Sequence, residues 1–300
     1  MNSSEPFPSS GELKPTLGFR RLFTGAQPRR AALRMAVVLI YIFLLAAPVI
    51  VICYSLSPGV VMQFPPEGAT LRWYQNLLDR PRLLNGIWYS GLIASLATLA
   101  ALAIGVPAAL ALTRGRLPGR AVLAAFFLSP LNLPGLVLAI GILMFLVAVV
   151  QPLLAVSVVA GTGPLFIAHL LITVPWVIRT VAASLEASDP SMEDAARGLG
   201  ATPVQTFFLV TLFSIRPGVI AGAIFAFIVS FGNFSLSLFF TSGEVTTLPV
   251  AIFEYIDRFQ DPTVAAVSSV VILATTAMVL VAERFGALTR TLASRQARQR

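Results

Sequence analysis

His169 is the only histidine of the chain, Cys53 the only cysteine and Lys14 the only lysine. Each alone limits the chemistry available. A Ser-His-Asp triad would have to use His169, and no acidic residue lies near it in the same apolar run. One cysteine excludes an intrachain disulfide and a cysteine metal cluster, and one histidine excludes a multi-histidine zinc site. A P-loop needs a lysine after closely spaced glycines, and Lys14 has none before it. The chain therefore cannot hydrolyse ATP by that mechanism. What remains is polar but not nucleophilic. Ser230, Asn233 and Ser237 fall at i, i+3 and i+7, one face of a helix, with Phe227, Phe231 and Phe234 on or beside it. Asn132 stands between Pro130 and Pro134. These four suit the lining of a polar path, or hydrogen bonds between helices. His169, without a carboxylate partner, reads as a packing or hydrogen-bonding residue rather than a proton relay.

The surroundings of these residues are apolar. Of 300 residues, 57% are hydrophobic and 11% charged, with mean hydropathy +0.85. A soluble domain carries about 25% charged residues. The sequence thus predicts an all-α polytopic membrane protein. Apolar runs long enough to cross a bilayer, about 20 residues each, occur at about 35–57, 87–113, 121–150, 164–185, 214–241 and 262–282. The third is interrupted by "SPLNLPG". The first is too long for a signal-peptide core and reads as an uncleaved span. Small residues four apart, Gly91/Ser95, Ala101/Gly105 and Gly218/Gly222, predict close helix packing.

Six spans put both termini on one side. The net charge of +8 is carried almost wholly by arginine. It gathers in segment 1–34, in the loop holding Arg114, Arg116 and Arg120, around the fourth-to-fifth loop, and in the tail 283–300. The other side offers only Arg72, Arg80, Arg82 and Arg258. By the positive-inside rule both termini are expected in the cytoplasm. The basic charge follows span ends rather than one soluble face, so no nucleic-acid partner is expected. The six-span domain then covers 35–282, between a cytoplasmic N-terminal segment and a basic tail.

One cytoplasmic loop, about 186–213, is too shaped for a tether, which needs roughly 4–6 residues. Asp189-Pro190 is a helix start, with Asp as cap and Pro where no N–H is required. Gly200 is a stop suited to a left-handed backbone. Thr202-Pro203-Val204-Gln205 is a second start with a capping box. Two short helices are expected to meet at a glycine corner lined by Ala195, Ala196, Gly198 and Ala201, small enough for another protein to approach. "VQTFFLVTLF" would root the elbow in the membrane helices. Further on, "LPVAIFEYIDRF" reads as an amphipathic helix on the outer face, with Val250, Phe253, Ile256 and Phe259 as its apolar side.

The elbow resembles the EAA loop of permease subunits in binding-protein-dependent ABC importers, whose pattern is E-A-A, three residues, Gly, nine residues, I-x-L-P. Here Asp194-Ala195-Ala196, preceded by Glu193, takes the E-A-A place. Gly200 follows after three residues, and Val210-Thr211-Leu212-Phe213 nine residues later. Asp194 replaces Glu, Val210 replaces Ile, and Phe213 stands at the usual proline, which leaves the local bend open; Pro217 follows. The resemblance extends to the spans, the "SPLNLPG" break and the region from Ser230 to Ser269, most like the second permease of spermidine/putrescine-type systems. It implies a type I importer (MetI-like) permease fold in a bacterial inner membrane. It also implies a second permease, forming a heterodimer, two cytoplasmic ATPase subunits that use ATP-Mg, and an extracytoplasmic solute-binding protein. This chain would hold no cofactor or metal. Glu193, Asp194, Ala195, Ala196, Gly198, Gly200 and Ala201 would couple it to the ATPase. A stand-alone secondary transporter would be expected to carry intramembrane carboxylates, and a membrane enzyme a nucleophile–base pair; neither is present. Within the importer class the cargo stays open between polyamines, amino-acid-like solutes, iron complexes and small anions.

Overall fold

The computed structural model describes residues 26–60, 68–154 and 160–298, so most of the N-terminal segment 1–34 lies outside the described residues. Among the described residues the secondary structure is entirely helical. The stretch up to Ile50 forms a unit of its own, the apolar N-terminal part of α1 (Ala26–Ser55).

The second unit, from Val51, begins with α2 (Arg72–Leu78) and α3 (Pro81–Arg114), then α4 (Arg120–Leu128). After a 3-10 turn, Ser129–Asn132, come α5 (Gly135–Phe145), a π turn (Leu146–Val150) and α6 (Gln151–Leu154). Then follow α7 (Thr162–Ala187), α8 (Ser191–Gly198), α9 (Pro203–Thr206), a second π turn (Phe207–Thr211) and α10 (Leu212–Ser214). Last are α11 (Arg216–Phe231), α12 (Phe234–Phe240), α13 (Leu248–Arg258) and α14 (Thr263–Arg298). Proline opens α3, α9, α11 and α13, in the first turn where its missing N–H has no partner to lose.

Among the described residues five helices are long and apolar enough to cross a membrane, Leu33–Ser55, Pro81–Arg114, Gly135–Leu153, Thr162–Ala187 and Thr263–Arg284. Counting the pair Pro203–Ser214 and Arg216–Phe231, bent by 71°, as one broken span makes six. Two spans differ from the sequence expectation. The third begins at Gly135 rather than near Ala121, because Leu133 is extended and Pro134 cannot continue the preceding turn; Arg120–Asn132 is a separate short apolar helix. The fifth is two pieces. α11 stops at Phe231, and Asn233, with φ −79° and ψ 106°, starts α12 anew.

α3, α7 and α11 pack on one another as the centre of the bundle. Glycine decides how closely. A Cβ on Gly105 would stand 2.8 Å from Val177, and one on Gly218 would stand 2.5 Å from Ser184 Oγ. Gly222 meets Thr180 in the same way. Gly91 and Ser95 show no such close approach among the described residues: a Cβ at Gly91 would meet nothing within 4 Å, and Ser95 is exposed. Around this centre lie a core of Ala101, Ala109, Val177, Val181, Leu185 and Ile215, and a second of Ile93, Leu146, Leu165, Leu236 and Phe240.

Candidate functional site

The elbow forms as two capped turns. Asp189 Oδ1 accepts the Ser191 N–H at 2.9 Å, and this bond holds its carboxyl below the usual range. α8 ends where Gly200 takes φ +89°, a left-handed conformation that costs other residues about 1–2 kcal/mol. Thr202 and Gln205 exchange the two bonds of a capping box, Gln205 N to Thr202 Oγ1 at 3.3 Å and Thr202 N to Gln205 Oε1 at 2.9 Å. The second limb roots through buried Thr206, Thr211 and Ile215, with Phe207 and Leu212 against the α3–α7 core. The bend falls at Ile215, after which Pro217 opens α11. The bend thus lies two residues after Phe213, the position where the family pattern has proline.

Of the two adjacent acids, Glu193 turns inward and Asp194 outward: their side chains are 14% and 76% exposed. Glu193 lies 3.9 Å from Arg114 and 3.8 Å from Arg197, and Asp194 lies 3.7 Å from Arg197. Arg114, on the last turn of α3, donates to Ser188 Oγ at 2.8 Å and to the carbonyls of Leu185 and Ser188 at 3.2 and 3.3 Å. A cation at the carbonyl end of α7 suits that helix's dipole. Arg114 thus ties α3, the end of α7 and the first limb of the elbow. Its sequence position showed only that it was a basic residue at a span end, because its partners lie more than 70 residues away.

Beside the exposed Asp194 and Arg197, the elbow's corner carries small and apolar residues. Ala195, Gly198 and Gly200 are exposed, Ala196 and Ala201 half-buried. Leu199 at the tip is 90% exposed, and Met192 and Val204, near the starts of the two limbs, are also exposed. Beyond their chain neighbours and the local helix backbone, no described atom lies within 4 Å of a Cβ built on Gly198 or Gly200.

The polar residues of the spans are placed differently. Ser230 and Ser237 are buried, and both meet His169: Nδ1 lies 2.8 Å from Ser230 Oγ and Nε2 lies 3.2 Å from Ser237 Oγ. Ser237 Oγ donates to Asn233 O at 2.6 Å, so it accepts from Nε2–H. Nδ1 is then the acceptor for the Ser230 hydroxyl. The neutral ring thereby joins α7 to the helices on both sides of the break. Asn233 is half-buried, and its Oδ1 caps α12 by accepting Leu236 N at 2.9 Å. Because the helix ends before it, Ser230, Asn233 and Ser237 do not form one continuous helical face. Asn132 is exposed at the end of the 3-10 turn, apart from this cluster in the chain.

At the other end of α3, α13 presses on Gly86, and Leu248 N donates to Ser90 Oγ at 2.8 Å. The face of α13 that packs is Leu248, Val250, Ala251 and Tyr255; Phe253 and Ile256 are exposed, so the expected single apolar side is split in two. Arg82 binds both oxygens of Glu254, at 2.6 and 2.7 Å, which holds that carboxyl below its ordinary range. Among the described residues no group of three or more His, Cys, Asp or Glu is arranged to hold a metal ion.

The described residues thus form a bundle of apolar helices, broken in places and carrying a capped elbow. Residues 101–291 match the family described as the binding-protein-dependent transport system inner membrane component, and the chain belongs to that family. It is 29% identical over 247 residues to the putrescine transport system permease protein PotI of Escherichia coli K12, covering 81% of this chain and 86% of that one. It is 27% identical over 218 residues to the spermidine/putrescine transport system permease protein PotC of Haemophilus influenzae, covering 72% and 82%. Its fold is that of a chain in a bacterial ABC transporter involved in the import of the polysaccharide alginate, with TM-score 0.65 at 17% identity, covering 85% of this chain and 96% of that one. The chain is a multi-pass permease subunit of an ABC importer with the type I fold.

Proposed function

We propose that this permease passes a polyamine-type organic cation across a bacterial inner membrane, paired with a second permease and driven by two separate ATPase subunits. The cargo reading is supported by the similarity to PotI and PotC. The coupling reading is carried by one observation, an elbow whose caps are satisfied within the chain while Leu199, Met192 and the small residues of its corner face outward. Such a surface suits a cleft on an ATPase, with ATP-Mg bound by that partner and none here. Asp194, exposed, is the acid offered to the partner; Glu193 holds the elbow to Arg114. The elbow and both termini then lie in the cytoplasm, in keeping with the arginine distribution. A solute-binding protein delivers cargo at the opposite end of the bundle. Asn132, Ser230, Asn233 and Ser237 belong to the region facing the path, with Ser230 and Ser237 shaping it through His169 rather than touching solute.

The test is co-purification of the ATPase, together with uptake of labelled putrescine, for wild type and Gly200→Asp. Loss of either is expected. Normal assembly with normal uptake would remove the elbow's assigned role.

A further inference from the structure

The spans carry no carboxylate for a cation, but a free carboxylate does stand at one end of the bundle. Arg82 and Arg114 are separated by almost the whole of α3, about 48 Å at 1.5 Å per residue. At the Arg82 end a cavity of about 470 Å³ opens between the first turns of α3 and the turn Ser242–Val245. Arg82, Asn85, Trp88, Tyr89, Glu244 and Thr246 line it.

The charges within it are unequal. Arg82 is already bidentate on Glu254, and its third nitrogen donates to Gly243 O at 2.8 Å. Its charge is countered, and it pins the turn that carries Glu244. Glu244 is exposed and takes no part in the ion pairs among the described residues. Trp88 is 68% exposed beside it. Thr246 is 1% exposed, and its hydroxyl is buried with no hydrogen-bond partner among the described residues. A buried hydroxyl left unpaired is unfavourable, so a ligand group that reaches it gains more than a surface contact does.

A carboxylate, an indole face and oxygen acceptors form a receptor for an ammonium group. An anion would meet Glu244 and find Arg82 taken. A metal ion would find one free carboxylate. The apolar groove beside Gly232, lined by Phe231, Phe234 and Ile252, offers nothing to a charge.

We propose that this cavity is a loading subsite for a primary alkylammonium, with the ammonium on Glu244, the alkyl chain over Trp88, and Thr246 and Asn85 accepting the remaining hydrogens. The subsite rests on the cation-cargo reading and adds to it a place where the permease itself first holds the solute. A free negative charge at the mouth would also raise the local concentration of a cation.

The experiment uses the assembled transporter in nanodiscs, without its solute-binding protein, and measures equilibrium binding of labelled putrescine. Uptake is measured separately in proteoliposomes with the binding protein present. Glu244→Gln and Trp88→Leu are each expected to weaken binding by about fivefold. Glu244→Asp should restore most of it, and 1,4-butanediol, the uncharged analogue, should not compete. Elution of the intact complex is the folding control, and Asn85→Ala is the second variant should Trp88→Leu fail to assemble. If wild type imports putrescine while Glu244→Gln binds it as wild type does, the subsite is wrong and the cargo reading stands. If wild type neither binds nor imports putrescine, both fall.

Discussion

The elbow and the break at Gly232–Asn233 interrupt helices for opposite ends. At the break every polar group named above finds its partner inside the chain: Asn233 caps α12, and His169 takes Ser230 and Ser237. At the elbow the backbone ends are also capped, yet the side chains point away. Leu199 is 90% exposed, whereas Ser230 and Ser237 are 2% and 0% exposed. An interruption satisfied from within holds a shape. An interruption satisfied in its backbone but with outward apolar side chains presents that shape to something else.

The largest effect should come from the corner of the elbow. Gly200→Val places a β-branched residue at φ +89° and costs the formed corner about 1–2 kcal/mol, a factor of about 5–30 in its population. Uptake should fall accordingly, while Gly200→Asn, which tolerates this conformation, should retain most of it. Leu199→Glu should break ATPase association without disturbing the fold, since no packing is lost. If Gly200→Asn and Gly200→Val transport alike, the corner's conformation is not what coupling reads.

The break should answer to stability first. His169→Ala removes two hydrogen bonds and leaves the buried Ser230 hydroxyl without its acceptor, while Ser237 keeps its bond to Asn233 O. Interhelical bonds in membranes are worth about 0.6–1.7 kcal/mol each, so a loss of about 1–3 kcal/mol is expected in the thermal or denaturant unfolding of the purified protein. His169→Gln, which keeps a donor and an acceptor, should recover part of it. Unchanged stability in His169→Ala would mean that the ring does not join the two halves of the broken span.

These two regions were not equally legible in the sequence. The elbow was, because each of its devices is local: Asp189-Pro190, Gly200 and Thr202-Pro203-Val204-Gln205 act within four residues of themselves. The interruption near Asn132 was legible for the same reason, from Pro130 and Pro134. The break at Gly232 was not. Apolar periodicity runs through Phe227, Phe231, Phe234 and Leu238 as if one helix continued, and a single glycine is a weak stop. His169 was read as a hydrogen-bonding residue, but its partners lie 61 and 68 residues on, beyond any spacing rule. Gly218 and Gly222 gave their close approach correctly, while Gly91 and Ser95 carry the same spacing on a face that meets no close neighbour among the described residues.

Arg114, at the end of α3, touches the elbow's first limb and the end of α7. Arg114→Ala should loosen the first limb while leaving the capping box of the second intact. The bond to Ser188 Oγ and the half-buried contact with Glu193 together should be worth about 1 kcal/mol, more than an exposed pair. Hydrogen exchange of α8 should quicken, with that of α9 unchanged. Arg114→Lys keeps the charge near Glu193, but its ammonium stops one bond short of Nη2, the nitrogen that makes all three bonds, so it should fall between.

The smallest effect expected is at Thr202. Thr202→Ala removes the side-chain acceptor for Gln205 N and costs about 0.5–2 kcal/mol at a helix start. The lower end applies here, because Thr202 is exposed and water can take the freed N–H. Thr202→Ser should be silent. Exchange should quicken in α9 alone, leaving α8, which has its own cap at Asp189, as it was. Such a result would separate the two limbs of the elbow as independent turns joined only at Gly200. Quickening of both limbs together would instead make the elbow one cooperative piece, and the corner glycine a hinge within it rather than a junction.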